Sequence, residues 1–351
     1  MLAPVAHILP LTTIRRERLL PVPGRVVVRK GQKVSATDII AEASLAPEHM
    51  ILDIARGLGI SVEQAEKHLQ CKAGMRVVQD DVLAGPVGFT KRVVRAPQNG
   101  RVVVVSGSQV LLELERSPFE LKAGMPGMVV TLSGDRGVII ETVGALVQGV
   151  WGNNRIDYGL LNILIREPED ILTADRLDVS LRGAILLAGY CKDPEALKAA
   201  AGLPVRGLVL SSMEASLVPI AKKMPFPILV LDGFGQIPMN STAFKLLTTS
   251  ERREVAVNAV TWDRYAGTRP ELIIQLPASE EPAVPQEVDV FAMGQHVRVV
   301  RAPHQGLVGT IVAMIPGQYL LPNGLRAASG EVQFENGAKV VLPLVNLEVL
   351  K

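Results

Sequence analysis

Between residues 184 and 247, short apolar segments alternate with short helical segments, and this alternation constrains the fold more than any other feature. Repeated strand–helix units need crossover connections, which place the strands side by side in a parallel sheet. Strands at Glu254–Val260 and Leu272–Leu276 are predicted to close the sheet, and residues 129–142 to form a hairpin. We therefore predict a parallel α/β domain over residues 129–276. Its alternating elements are the strands Ala184–Ala188, Gly207–Leu210 and Ile228–Leu231 and the helices Pro194–Ala201, Ala215–Lys223 and Ser241–Leu247.

The composition is that of a folded chain with balanced charge. The 351 residues are enough for two or three domains, and a hydrophobic content of 48% argues against extensive disorder. The formal net charge is only +2, which does not favour general nucleic-acid binding, because that function usually needs a basic excess. Basic side chains are nevertheless enriched in residues 1–40.

The cysteines and the apolar segments bear on the cellular compartment. Cys71 and Cys191 lie far apart in the sequence, which argues against a disulfide framework or a metal cluster. No apolar run approaches the roughly 18 residues that a membrane-spanning helix needs. The arginines near the N-terminus follow the apolar stretch instead of preceding it, unlike those of a secretory signal. We predict a cytoplasmic protein without membrane association.

An internal repeat precedes the α/β region. In each copy a glycine turn comes before a strand, and an aspartate begins a second, apolar strand. The first copy contains Gly31, Val34, Asp38 and Ala41, and the second contains Gly74, Val77, Asp81 and Ala84. This pattern resembles the two halves of a barrel-sandwich hybrid, the fold of lipoyl and biotinyl carrier domains, over residues 21–128. The hairpin lysine that carrier domains modify has no counterpart here, so the resemblance implies the fold without the carrier role.

A helical insert is predicted between the two halves of the repeat, at about residues 46–70. Ser61 is a suitable N-cap, and Val62, Ala65 and Leu69 follow helical spacing. We interpret the whole segment as an inserted helical hairpin.

Residues 288–351 begin with two strands joined by a turn. Gly294 precedes a segment of alternating apolar residues, a Pro-x-x-Gly turn begins at Pro303, and a second strand starts at Leu307. This order resembles a KOW motif, the core of small SH3-like barrels in NusG-type transcription factors and ribosomal proteins. The resemblance implies a compact five-stranded barrel that binds RNA or a protein. It marks as partner contacts Arg298, Arg301, His304 and Gln305.

These barrel side chains have a second interpretation. Arginine can fork to phosphate or carboxylate alike, so its presence does not decide between RNA and protein partners. The alternative to a partner contact is that these charges serve only to keep an exposed strand soluble. Residues 289–351 hold five basic and four acidic side chains, which favours a protein partner over bare nucleic acid.

A second candidate site lies where the predicted parallel strands end. Open parallel sheets of the small Rossmann-like kind bind ligands beyond the carboxyl ends of their strands. Those ends carry Tyr190, Ser211, Ser212 and Asp232. The hydroxyl of Ser212 is expected at a helix N-terminus, where it would face a ligand. The alternative is structural, with the two serines capping a helix and the neighbouring glycines forming tight turns.

No familiar motif of metal, nucleotide or acyl-transfer chemistry accompanies these sites. The five histidines lack the spacing of zinc ligands, and no Gly-x-Ser-x-Gly elbow is present. The glycine-rich segment 149–154 lacks the lysine and the spacing of phosphate-binding loops, which favours a strand-exit loop. The sequence therefore predicts no catalytic residue, no metal and no cofactor, and an enzyme is disfavoured.

We predict a multi-domain protein of mixed β and α/β class that acts as a non-enzymatic adaptor, associated with the transcription or translation machinery through its terminal barrel. The expected partner is RNA, a ribonucleoprotein or another protein, and a homo-oligomer is compatible with the sequence. Two alternatives stay open, a ligand-binding or enzymatic α/β domain and a structural subunit of a larger assembly. The predicted boundaries are 1–20 for an N-terminal extension, 21–128 for the barrel-sandwich hybrid, 129–276 for the α/β domain, 277–287 for a linker and 288–351 for the terminal barrel.

Overall fold

The computed structural model describes residues 2–89, 91–115, 117–263, 267–277, 282–286 and 288–351. The chain is mostly β and divides into two compact units. The larger unit consists of Met1–Leu19, Val26–Ala41 and Leu121–Lys351, and the smaller consists of Leu20–Arg25 and Glu42–Glu120. This division cuts across the sequence-based boundaries, because both ends of the chain belong to the same unit as the α/β elements. Residues 278–281 and 287 of the predicted linker lie outside the described residues.

The larger unit contains an eleven-stranded sheet, called here the central sheet. Its parallel strands are, in spatial order, Ile156–Ile163, Ala184–Ala188, Gly207–Met213 and Ile228–Phe234. Successive side chains of a strand point to opposite faces, so Leu186 and its neighbour Leu187 belong to different cores. Helix Pro194–Gly202 covers one face and helix Ser241–Thr248 covers the other. The three predicted strands are therefore parallel neighbours, and Ile156–Ile163 is a fourth parallel strand that the sequence analysis did not assign.

The helices of this sheet begin at the residues that the sequence indicates. The Asp193 side chain accepts a hydrogen bond from the N–H of Glu195, with Pro194 in the first turn, and Asn240 caps the next long helix through the N–H of Ala243. The predicted helix at 215–223 is shorter than expected. It consists of a 3₁₀ turn, Ala215–Leu217, followed by one α-helical turn, Val218–Ala221. Two further 3₁₀ turns are Ala174–Arg176 and Val179–Leu181.

The rest of the central sheet is antiparallel. The predicted hairpin is confirmed, with the N–H of Ser133 donating to the carbonyl of Gly137 at its turn. The strand Ile8–Leu19 pairs along Gly137–Gln148, so most of the predicted N-terminal extension is a strand of this sheet. The other antiparallel strands are Lys33–Val34, Gly127–Leu132, Trp151–Gly152, Glu254–Asn258 and Glu271–Gln275.

Residues 288–351, for which a five-stranded barrel was expected, contribute six strands to a seven-stranded sheet, called here the terminal sheet. The additional partner is the N-terminal strand Leu2–Ala6, which pairs antiparallel with Val288–Val290 and parallel with Leu347–Leu350. Val5 joins the core of this sheet. The remaining strands are His296–Val299, Val308–Leu320, Arg326–Phe334 and Lys339–Pro343, and a 3₁₀ turn spans Leu344–Asn346.

The smaller unit has a four-stranded sheet and a separate hairpin. The predicted helical insert is wrong in its first part, because Glu48–Asp53 is a strand that pairs along its full length with Gln109–Leu114. Short helices follow at Ile54–Leu58 and Val62–Lys67, the second starting after Ser61 as predicted. The other strands of the sheet are Arg76–Val77 and Gly100–Ser106, and the hairpin joins Val82–Val87 to Arg92–Arg95. Three short strands lie where the chain passes from one unit to the other, at Arg25–Val26, Ile39–Ala43 and Phe119–Lys122.

The sequence repeat corresponds to a repeated set of backbone hydrogen bonds. In each copy the N–H of the glycine donates to a carbonyl of a partner strand, and the aspartate carboxylate accepts from the N–H three residues earlier. Both glycines occupy the left-handed region, with φ of +80° at Gly31 and +87° at Gly74. The aspartates are Asp38 and Asp81. The shared residues of the repeat therefore encode the same turn twice.

Candidate functional site

Three of the four polar residues predicted at the strand ends form side-chain hydrogen bonds within their own chain, namely Tyr190, Ser212 and Asp232. The hydroxyl of Tyr190 donates to a carboxylate oxygen of Glu214 at 2.7 Å. That hydrogen bond, together with burial, raises the pKa of Tyr190 to about 12. The phenol is therefore neutral near pH 7, and its O–H already donates a hydrogen bond to Glu214.

The two serines are fully buried. The Ser212 hydroxyl donates to the carbonyl of Ile237 at 2.7 Å and accepts from the N–H of the same residue at 3.1 Å. It therefore holds a loop and neither caps a helix nor faces an open site. The Ser211 hydroxyl is enclosed without a hydrogen-bond partner among the described residues. Of the two interpretations of this pair, the structural one fits the contacts, although the partner is a loop instead of a helix.

Asp232 is the fourth of these residues, and its buried carboxylate interacts with two other side chains. It accepts from the N–H and from the side-chain amide of Asn240 at 3.1 and 2.9 Å. It also pairs with Arg298 of the terminal sheet, whose Nη1 lies 2.8 Å away. The same nitrogen donates to the carbonyl of Leu231 at 3.1 Å. The terminal sheet therefore contacts the end of a parallel strand at the place where a ligand was predicted.

Arg298 is the centre of a buried ion-pair network. Its Nη2 lies 2.6 Å from Glu348, and Glu348 also pairs with Arg269. Burial would lower the pKa of Arg298, but the charges of Glu348 and Asp232 outweigh it and raise the pKa. Burial would likewise raise the pKa of Glu348, whereas its two arginine partners lower it. Arg298 and Glu348 are thus both charged near pH 7.

The burial of Arg298 corrects its expected role as a partner contact. Only 2% of its surface is accessible, because its guanidinium is directed into the chain and fully engaged by two carboxylates. The sequence pattern placed it on a strand of the terminal sheet correctly but could not show which face it occupies relative to the central sheet.

The other three predicted contact residues lie in the loop after that strand. Arg301 and Gln305 are exposed, and His304 is half-buried against Phe334, with 5.6 Å between the ring centroids. This loop packs closely on the chain at Gly306, where an added Cβ would lie 2.6 Å from a methyl carbon of Ile237. Arg301 and Gln305 therefore remain available on a loop that is held in place.

The longest hairpin of the terminal sheet ends in an exposed apolar tip that sequence reasoning missed. This hairpin tip, residues 316–326, joins Val308–Leu320 to Arg326–Phe334. Tyr319, Leu320 and Leu325 expose 39%, 56% and 64% of their surfaces. The Pro322-Asn323-Gly324 turn between apolar residues was the available signal for such a hairpin.

The described residues of the larger unit form a groove and a smaller pocket. A groove of about 960 Å³ lies over the antiparallel strands, and its lining mixes apolar side chains with oppositely charged ones such as Lys33 and Glu141. A smaller pocket of about 480 Å³, called here the arginine pocket, has four arginines in its lining. The arginines come from the basic N-terminal segment and from the strand region near Glu271, which are far apart in the sequence. They are Arg15, Arg16, Arg18 and Arg269.

His7 is a fully buried histidine next to the terminal sheet. Its two ring nitrogens have no hydrogen-bond partner among the described residues. Burial, and then the charges of Arg16, Arg269 and Lys351, lower its pKa from 6.5 to about 4, while Glu271 acts in the opposite direction. His7 is therefore neutral in the folded protein at pH 7 and is costly to protonate.

Lowering the pH from 7 to 5 is expected to destabilise the wild type more than a His7→Gln variant. In the unfolded chain His7 binds a proton near pH 6.5, whereas in the folded chain it does so near pH 4. Between these values the unfolded state binds more protons, so stability falls as the pH falls, by roughly 2 kcal/mol at pH 5 from this group. Urea unfolding of both proteins at the two pH values measures the difference, and equal losses would contradict the assignment.

No protein-family model matches this chain, and no curated protein matches it. Among the described residues, no cluster of three or more histidine, cysteine, aspartate or glutamate side chains is arranged to hold a metal ion. Over the same residues, the helices are too short or too polar to span a bilayer.

Proposed function

We propose that this protein is a non-enzymatic adaptor that binds a protein partner through the hairpin tip of its terminal sheet. The exposed Tyr319, Leu320 and Leu325 are the observation that carries the proposal. Grouped apolar side chains on a surface are costly in water and mark interaction sites, and tyrosine and arginine are enriched where binding energy concentrates. Arg326 follows the tip and is exposed.

The partner is proposed to belong to the transcription or translation machinery, in keeping with the KOW-like order of strand, turn and strand. Arg301 and Gln305 would form a polar margin of the contact surface. The near balance of charge in residues 289–351 favours a protein surface of such an assembly over its RNA. RNA binding is the competing outcome of the test.

The alternative of a ligand site at the parallel strand ends has lost its support. The polar side-chain atoms of three of its residues already have partners within the chain. Tyr190 bonds to Glu214, Ser212 bonds to Ile237, and Asp232 pairs with Arg298. A ligand there would have to displace these bonds, including a buried ion pair.

Replacing Tyr319 and Leu325 by alanine is expected to weaken partner binding by roughly 30-fold or more, since the loss of apolar anchors at the centre of an interface costs about 2 kcal/mol or more in total. The wild type and the variant would be used to capture partners from a cell extract, and the affinity of the recovered, purified partner would then be measured. Gel-shift titration with single-stranded and duplex RNA forms the second arm.

A Leu160→Ala variant is the matched control, because Leu160 exposes 54% of its surface on the central sheet and not on the hairpin tip. It should bind as the wild type does. The proposal fails if the tip variant keeps full affinity, or if the wild type recovers neither ribosomal nor polymerase components. Tight RNA binding that survives the tip substitutions would favour the competing outcome.

A further inference from the structure

The arginine pocket carries more positive than negative charge. Its charged lining consists of the four arginines named above and two glutamates, Glu17 and Glu271. The pocket is a concave region of about 480 Å³, within the size range of small-molecule sites. A concave surface with excess cationic charge attracts anions more strongly than a flat one, because it concentrates the field.

Three of the arginines already have carboxylate partners. Arg16 forms a forked pair with Glu271, with Nη2 at 2.9 Å from the carboxylate. Arg15 pairs with Glu141 and Arg269 pairs with the buried Glu348. These pairs fix the arginines in the lining and offset much of their charge.

Arg18 differs from the other three. It is half-buried, and its nitrogens reach the carbonyl of Lys122 at long distances, 3.3 and 3.4 Å. No carboxylate among the described residues lies within ion-pair distance of it. Burial lowers the pKa of Arg18, with Glu271 opposing this at longer range. A guanidinium has five N–H donors, so Arg18 retains donors for an acceptor that the described residues do not supply.

The Arg18 and Asn258 side chains both line the pocket, and their head groups converge beside Gly124. A Cβ added to Gly124 would lie 3.3 Å from Cζ of Arg18 and 3.1 Å from the amide nitrogen of Asn258. Gly124 has a φ of +79°, which disfavours any side chain there, and the missing Cβ lets both head groups approach its backbone closely. The Oδ1 atom of Asn258, a buried residue of the pocket wall, has no donor among the described residues.

We propose that the arginine pocket binds an oxyanion group of a small molecule, and that the guanidinium of Arg18 donates hydrogen bonds to it. Guanidinium forks match the geometry of both phosphate and carboxylate. The binding would satisfy the free donors of Arg18 in a place that is partly shielded from water. The volume leaves room for an organic part beyond the anionic group.

Calorimetric titration of the full chain at low ionic strength tests this, with inorganic phosphate in one arm and succinate in the other. Saturable binding of either is expected, and the arm that binds identifies the chemical source of the oxyanion. Arg18→Gln should weaken binding by roughly 10- to 100-fold, the loss expected for hydrogen bonds to a charged group. The affinity of Arg18→Lys for the anion should lie between those of the wild type and Arg18→Gln, because lysine keeps the charge but cannot form the forked pair of hydrogen bonds that a guanidinium forms.

Arg206→Gln is the charge-matched control, since Arg206 pairs with Asp157 outside the pocket. It should bind as the wild type does. The proposal is overturned if neither anion binds saturably, or if both glutamine variants lose affinity equally, which would indicate a general charge effect. If Arg18→Gln does not fold, the melting temperature of the wild type and of Arg18→Lys would be measured with and without the anion. A rise in the wild type that is smaller in Arg18→Lys supports the site. No rise in the wild type overturns the proposal. These outcomes are independent of partner capture by the hairpin tip.

Discussion

An Arg298→Met protein is expected to unfold with a free energy about 3–5 kcal/mol lower than that of the wild type. The substitution keeps an apolar stem of similar length and removes the cation that two buried carboxylates share. The carboxylates of Asp232 and Glu348 would stay buried, and each would lose one positively charged partner. Urea denaturation at pH 7 measures the loss.

Arg301→Met is the matched control for this change, because it alters the same chemical group on the exposed loop. Its stability is expected to stay within about 0.5 kcal/mol of the wild type. Adding Asp232→Asn to Arg298→Met should cost less than the sum of the single changes, since the two side chains are in contact. Wild-type stability of Arg298→Met would mean that the network does not hold the terminal sheet.

A Val5→Asp protein is expected to lose at least about 3 kcal/mol of stability, because an aspartate there would bury a charge without a partner. Val5 exposes 6% of its surface, belongs to the core of the terminal sheet and lies opposite Val349. The same urea titration, followed by tryptophan fluorescence and circular dichroism, reports the change.

Leu2→Asp provides the comparison within the same strand. Leu2 exposes 70% of its surface, so a charge there stays in water and should change the stability by no more than about 0.5 kcal/mol. Equal behaviour of the two variants would show that Leu2–Ala6 is not packed into the terminal sheet in solution.

The parallel strands could be predicted because their signals are local. Ala184–Ala188 is an apolar run between polar turns, and Asp193 and Pro194 mark the start of the next helix within a few residues. The repeat could be found for the same reason, since its glycine and aspartate act on neighbouring backbone groups. Where the determinant of structure is short in range, the sequence shows it.

The sequence-based predictions fail where the contact that determines the structure comes from residues far away in the sequence. Glu48–Asp53 alternates exposed and half-buried residues, and it is a strand because Gln109–Leu114 pairs with it. Arg298 is buried because acidic groups from two other strands meet it, which no local pattern of residues around it indicates. The arginine pocket likewise needs the fold to bring Arg18 beside Asn258.

Pairing between strands from the two ends of this sequence has a consequence for synthesis on the ribosome. Leu2–Ala6 is made well before both of its neighbours, Val288–Val290 and Leu347–Leu350. Until these strands are made, its backbone N–H and C=O groups have no strand to pair with, and closing so long a loop is slow. The terminal sheet is therefore expected to form late in folding, and the growing chain to carry an unpaired strand edge that chaperones can recognise.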